Sequence, residues 1–203
     1  MDQAHSGLFA LHLRGAAHLT PYADPRHPAR FTRVQAGATV VELGCRRGES
    51  LSRLAERCGV DGHAWGTTDD EACASQVQRL LDERGLQQAT LLCCPLEAVP
   101  LPPACADLVV ANHVLYTHSD PQAVWSEIHR LLRPGADFFV SDLFRVESCW
   151  ACPDLPSVIP LRQALLERLA ELGFEALRFF EESEPYDLGA IEVAAYTLAG
   201  RKG

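Results

Sequence analysis

Thr39-Val40-Val41-Glu42-Leu43-Gly44-Cys45-Arg46-Arg47-Gly48 is the stretch on which the architecture turns. An apolar run, Thr39–Leu43, ends at Gly44, and Gly48 leads into Ser50–Arg57, where Leu51, Leu54 and Ala55 recur at helical spacing. A buried strand running into a glycine turn that opens a helix is the first half of a parallel crossover unit. Glycines at such a turn let the backbone reverse sharply and let a ligand approach it closely. A tight strand–helix turn in any α/β protein gives the same pattern without a ligand.

The alternation continues on either side. Strands are expected at His63–Thr67, Thr90–Cys93, Asp107–Ala111 and Phe138–Ser141. Glu71–Arg84 reads as a helix closed by Gly85. Pro121–Leu132 is the clearest helix: Asp120 caps it, Pro121 suits its first position, and Pro134-Gly135 stops it. Leu161–Leu172 is a helix ended by Gly173, and strands follow at Ala176–Glu181 and Ile191–Leu198. That last pair is joined by a short polar turn without a helix, which implies one antiparallel strand. Strands alternating with helices imply an α/β, doubly wound, mostly parallel sheet of seven strands. Residues 1–33 stand apart as an appendage and 34–203 as the domain proper. In the appendage Leu8–Leu19 is a short helix candidate, and Pro21, Pro25 and Pro28 impose an extended path. Its histidines, His5, His12, His18 and His27, are not spaced to ligate a metal, so the segment reads as a solvated lid.

Composition narrows the chemistry. The 203 residues are 47% hydrophobic and 22% charged, enough for one ordinary core. Of the 18 basic residues 17 are arginine, and the single lysine, Lys202, lies at a terminus expected to fray. Without an internal lysine, Walker-type phosphate loops, pyridoxal Schiff bases and kinase-type lysine clamps are excluded. A net charge of −9 argues against nucleic acid as a partner. No run approaches the length of a membrane span and no secretory signal opens the chain, so a cytoplasmic setting with reduced thiols is expected.

A second segment is more specific. Ala106-Asp107-Leu108-Val109-Val110-Ala111-Asn112 is followed by His113-Val114-Leu115-Tyr116-Thr117-His118-Ser119-Asp120-Pro121. Leu131-Leu132-Arg133-Pro134-Gly135-Ala136 and Phe138-Phe139-Val140-Ser141-Asp142 come next. Over residues 34–198 the chain resembles the class I S-adenosylmethionine-dependent methyltransferases of small molecules. The resemblance implies a Rossmann-like seven-stranded sheet, with S-adenosylmethionine across the carboxyl ends of its first strands. By position it implies cofactor contacts at Glu42, Gly44, Cys45, Arg46 and Gly48, and at Asn112 beside the transferring methyl. Such a cofactor carries no phosphate, in keeping with the lysine deficit.

Three positions depart from the family's pattern. Arg46 stands where its loop has a middle glycine. Thr68 stands where an acid holds the ribose hydroxyls, with Asp69 one residue late. Pro95 stands where an acid lies near the adenine amine, with Leu96 and then Glu97 following. Three accounts stand: an active enzyme with adjusted contacts, a site reshaped for another ligand, and a domain that no longer catalyses but serves as a binding or partner subunit.

Methyl transfer from a sulfonium is an in-line displacement that mainly requires positioning, helped by a base when the acceptor is a hydroxyl or thiol. His113, Tyr116 and His118, just past the fourth strand, are the candidate catalytic residues. Tyr116 also reads as a pocket wall, His118 as a surface residue, His129 as a solvated mid-helix residue and Trp125 as packing. Cys45, Cys93, Cys94, Cys149 and Cys152 map to the carboxyl edge of the sheet. The structural reading of these thiols stands beside soft metal or metalloid capture, since the central stretch also resembles arsenite methyltransferases. No metal site is read from the spacing. The expected function is methyl transfer to a small-molecule substrate, and a homodimer is compatible with it.

Overall fold

The structure is a computed structural model that describes residues 33–146, 159–188 and 191–203. The Leu8–Leu19 helix expected in the appendage, and Cys149 and Cys152, lie outside the described residues. In chain order the elements are β1 (Thr39–Leu43), α1 (Glu49–Cys58), β2 (His63–Thr68), α2 (Glu71–Glu83), β3 (Ala89–Cys93) and β4 (Ala106–Asn112). A 3₁₀ turn (Leu115–Thr117) follows, then α3 (Pro121–Leu131), β5 (Leu132–Arg145), α4 (Arg162–Glu171), β6 (Phe174–Glu182), β7 (Tyr186–Leu188) and β8 (Ile191–Lys202).

The sheet runs β3-β2-β1-β4-β5-β8-β6, with β7 paired to β8. β1 pairs in parallel with β2 on one side and with β4 on the other, so the winding reverses between β1 and β4. That reversal opens a crevice at the carboxyl ends of these two strands. β8 runs antiparallel to β5, β6 and β7. The expected antiparallel strand is present, but the sheet has eight strands rather than seven. The extra one, Tyr186–Leu188, is a three-residue strand inside the stretch expected to be only a turn.

Alternation along the buried strands divides the core into two layers. Val40, Leu108 and Val110 face α1 and α2, packing with Leu51, Leu54, Val77 and Leu81. Val41, Val109, Phe138 and Val140 face α3 and α4, packing with Val124, Ile128, Leu165 and Leu169. Trp125 is packing, as expected: its ring meets Phe138 at 5.4 Å and Phe174 at 6.1 Å, both edge-on.

Three expectations are corrected at the junction of α3, β5 and the terminus. The helix ends at Leu131, and Pro134-Gly135 lies inside β5 rather than stopping a helix. Leu132 is extended (φ −67°, ψ 139°) and pairs with Ala106. It is buried, so its apolar character suits helix and strand alike, and the following Arg133 is biased to extended backbone by Pro134. Lys202 does not fray. It ends β8, and its Nζ donates to the carbonyls of His129 (2.8 Å) and Leu132 (3.0 Å) at the end of α3. A cation there satisfies carbonyls the helix leaves over. His129 is half-buried rather than solvated. Its ring stands edge-on to Phe174 at 5.1 Å, and burial pushes its pKa below the usual imidazole value.

Candidate functional site

The β1 turn needs its glycines for two reasons that the chain itself supplies. Gly44 (φ 79°) and Gly48 (φ 73°) have left-handed backbone. A Cβ on Gly44 would lie 2.1 Å from Val114 Cγ1, and one on Gly48 would lie 2.8 Å from Val77 Cγ1. The turn is then hung on β2. Cys45 N–H donates to the Thr67 carbonyl (2.7 Å), and Gly44 N–H to the Thr67 hydroxyl (3.3 Å). From the first turn of α2 the Cys73 thiol donates toward the carbonyls of Cys45 (3.1 Å) and Arg46. The sequence reading missed Thr67 and Cys73. Neither belongs to the glycine motif, and their link to it exists only once β2 and α2 are laid against it.

Glu42 and Cys45 turn inward. Glu42 is buried, and its carboxylate accepts from Cys45 Sγ at 3.0 Å. Burial raises the Glu42 pKa, and burial beside Glu42 pushes the Cys45 thiol well up. Cys45 is therefore a protonated thiol in the core, tied to Glu42 by its side chain and to Thr67 and Cys73 by its backbone.

The facing wall follows β4. Asn112 ends the strand opposite Ser141, half-buried. His113 is buried with a left-handed backbone (φ 53°), and its N–H donates to the Ser141 carbonyl (2.8 Å). Asp142, fully buried on β5, accepts from the N–H groups of Leu115 (2.9 Å), Tyr116 (3.1 Å) and Leu143 (2.8 Å). Burial raises its pKa to about 7, opposed by those same N–H groups. Asp142 thus fixes the turn that carries His113 and Tyr116, whose rings meet edge-on at 5.8 Å. Burial also raises the Tyr116 phenol, so it donates rather than accepts a proton.

At the ends of β2 and β3 the acids are arranged differently. Thr68 is buried, and its hydroxyl accepts Asp70 N–H (3.3 Å). Asp69 beside it is exposed, whereas Asp70 caps α2 through Ala72 and Cys73 N–H. Leu96 packs in the core, and Glu97 reaches His118 Nε2 at 3.1 Å. His118 Nδ1 accepts Asp120 N–H (3.1 Å), so both ring nitrogens are engaged. His118 is a partly buried tie between β3 and α3, not a surface residue.

Arg46 joins the two walls of the crevice. Its Nη2 donates to the His113 carbonyl at 2.8 Å, across 67 residues of sequence. Behind it α1 begins without a side-chain cap. A guanidinium and an uncapped helix start suited to an anion thus stand together after β1, and Asp69 stands exposed just past β2. Among the described residues, no group of three or more His, Cys, Asp or Glu side chains gathers to hold a metal. The donor set fits a zwitterionic amino acid joined to a nucleoside without phosphate, which is the chemistry of S-adenosylmethionine.

The profile of a family described as "Methyltransferase domain" matches residues 41–140, from β1 through β5. An arsenite methyltransferase of Halobacterium salinarum is 24% identical over 197 residues, 87% of this chain and 49% of that protein. The chain spans about half the length of the curated relatives it matches. Among solved structures, the N-terminal domain of EvdMO1 with SAH bound superposes with a TM-score of 0.72 at 20% identity, covering 93% of this chain and 84% of that one. The [4+2]-cyclase SpnF superposes with a TM-score of 0.66 at 20% identity, covering 98% and 81%. No helix among the described residues is long and apolar enough to cross a membrane.

Proposed function

Because the chain belongs to the class I S-adenosylmethionine-dependent methyltransferases, we propose that it transfers a methyl group from that cofactor to a small-molecule acceptor. The observation that carries this reading is the crevice between β1 and β4. There an uncapped helix N-terminus and Arg46 face the turn that holds His113 and Tyr116. When bound, the cofactor supplies an electrophilic methyl on a sulfonium.

The chain's own part is to hold and orient. Gly44, Cys45 and Gly48 shape the turn at the amino-acid end, the start of α1 gives it N–H groups and Arg46 its cation, and Asp69 gives a carboxylate for the ribose hydroxyls. Thr68 and Leu96 shape the floor. Glu97 with His118 closes the adenine side, and Asn112 lies at the end of β4. No residue has to act as an acid, because a thioether leaves neutral. His113 is the candidate base, and the protonated Tyr116 phenol orients the acceptor by donating to it. His118, engaged at both ring nitrogens, serves positioning instead.

The thiols beside the β1 turn do not favour a metalloid acceptor; Cys149 and Cys152 lie outside the described residues. Cys45 and Cys73 use their thiols on Glu42 and on loop carbonyls, and burial keeps both protonated. Because this fold also carries a cyclase, binding has to be tested as well as fold. Calorimetric titration with S-adenosylmethionine and S-adenosylhomocysteine is expected to give saturable heats with both. No heat and no thermal shift at millimolar ligand would leave a domain that no longer binds its cofactor.

A further inference from the structure

We propose that Arg46 is the clamp for the carboxylate at the amino-acid end of the cofactor, taking over with a side chain what bare backbone does where that position is glycine. The assignment rests on the methyltransferase reading above. Its warrant is geometric. The Arg46 backbone is fixed by the Cys73 thiol at its carbonyl, and the guanidinium is fixed by the His113 carbonyl 2.8 Å from Nη2. Tyr116 supplies a second polar neighbour. A guanidinium carries five donors in a planar fork, so these contacts leave further N–H groups for a ligand. The residue is exposed in spite of them, so an anion reaches it without displacing a buried group.

The surroundings favour an anion at this place. Arg47 follows in sequence, α1 begins uncapped two residues beyond, and the nearby Glu42 is buried and tied to Cys45. His113 keeps an unfavourable left-handed backbone while giving its carbonyl to Arg46. The strained turn thereby preorganises the cation. A charge-assisted, bidentate pair to a carboxylate is the strongest contact available to such a fork.

The test compares two nucleosides that differ at the amino-acid end. S-adenosylhomocysteine carries the carboxylate and 5′-methylthioadenosine lacks it. The full chain, Arg46→Met and Arg46→Lys are titrated with both, after thermal unfolding has shown that the three proteins are equally folded. Arg46→Met is expected to weaken S-adenosylhomocysteine by about tenfold or more, with Arg46→Lys between. Methylthioadenosine affinity should stay within about twofold. Unchanged or tighter S-adenosylhomocysteine binding by Arg46→Met overturns the clamp, because the arginine then obstructs or stands aside. An equal loss for both nucleosides also overturns it, because the role is then only structural. If the unaltered chain binds neither nucleoside, the methyltransferase reading itself falls and the clamp with it.

Discussion

The two ends of β1 and β4 lie on one sheet and are built on opposite principles. At the amino edge, a cavity of about 430 Å³ lies between the chain entering β1 and the Arg133–Asp137 bend of β5. Its charges cancel locally. Asp107 takes Thr39 N–H at 2.8 Å and pairs with Arg133, while Arg201 pairs with Asp137 at 2.9 Å. At the carboxyl edge β4 ends in a left-handed histidine, β5 carries a buried carboxylate and β1 leads to a helix without a side-chain cap; the left-handed residue before β4 at the amino edge, Ala104, carries no polar side chain. Exposed ion pairs are worth little. Strain and buried charge persist only where the surroundings enforce them, and such places are where ligands are met. Of the two edges, as far as the described residues go, the carboxyl one is the proposed site.

The comparison can be broken in order of expected effect. Asp142 comes first. A carboxyl whose pKa is raised from 3.8 to about 7 on folding binds its proton more tightly in the native state. Stability therefore falls as pH rises from about 4 to 7, by up to about 4 kcal/mol, and the cost is absent below both values. Asp142→Asn keeps an acceptor but cannot ionise. Its stability relative to the parent, from urea unfolding at each pH, should improve steadily over that window. A constant difference would mean that Asp142 is not strained. Tyr116, Tyr186 and Tyr196, which sense its charge, stay protonated throughout.

Gly44→Ala is next. It combines a left-handed alanine with a Cβ 2.1 Å from Val114 Cγ1, and should lose about 3 kcal/mol by denaturant unfolding. Adding Val114→Ala should restore the packing part and leave the backbone part. At the amino edge, Lys202→Ala should cost about 1 kcal/mol in the same assay, from two helix-end carbonyls. Arg133→Ala should cost about 0.5 kcal/mol or less and leave nucleoside binding unchanged. If Arg133→Ala weakened binding as much as a change at Arg46, the contrast between the edges would be lost.

Much of the fold was legible because its signals are local. β1, α1, β2, α2, β3 and β4 fall within a residue or two of their expected places, and Asp120 caps α3 through Ala123 N–H as read. What failed had either an ambiguous local signal or none. Leu132 suits helix and strand equally, and β7 has three residues and pairs only because β8 lies beside it. For the site, the sequence supplied the residue types without their partners. His118 was read as a surface group because nothing near it in sequence points to Glu97. Asp142 was quoted as part of a motif and given no role, since its partners are backbone N–H groups of a turn 26 and 27 residues back.

By itself the sequence determined the order of strands and helices, the glycine turn after β1, and the exclusion of lysine-dependent chemistry. These follow from periodicity, backbone conformation and side-chain inventory, which neighbouring residues settle among themselves. Only the tertiary structure decided that Arg46 meets His113, that Thr67 and Cys73 hold the turn, and that Asp142 is dry. Those facts depend on β1 lying between β2 and β4, and on β5 beside β4. That order is set by the packing of the whole sheet and its helices, and no single stretch of chain encodes it.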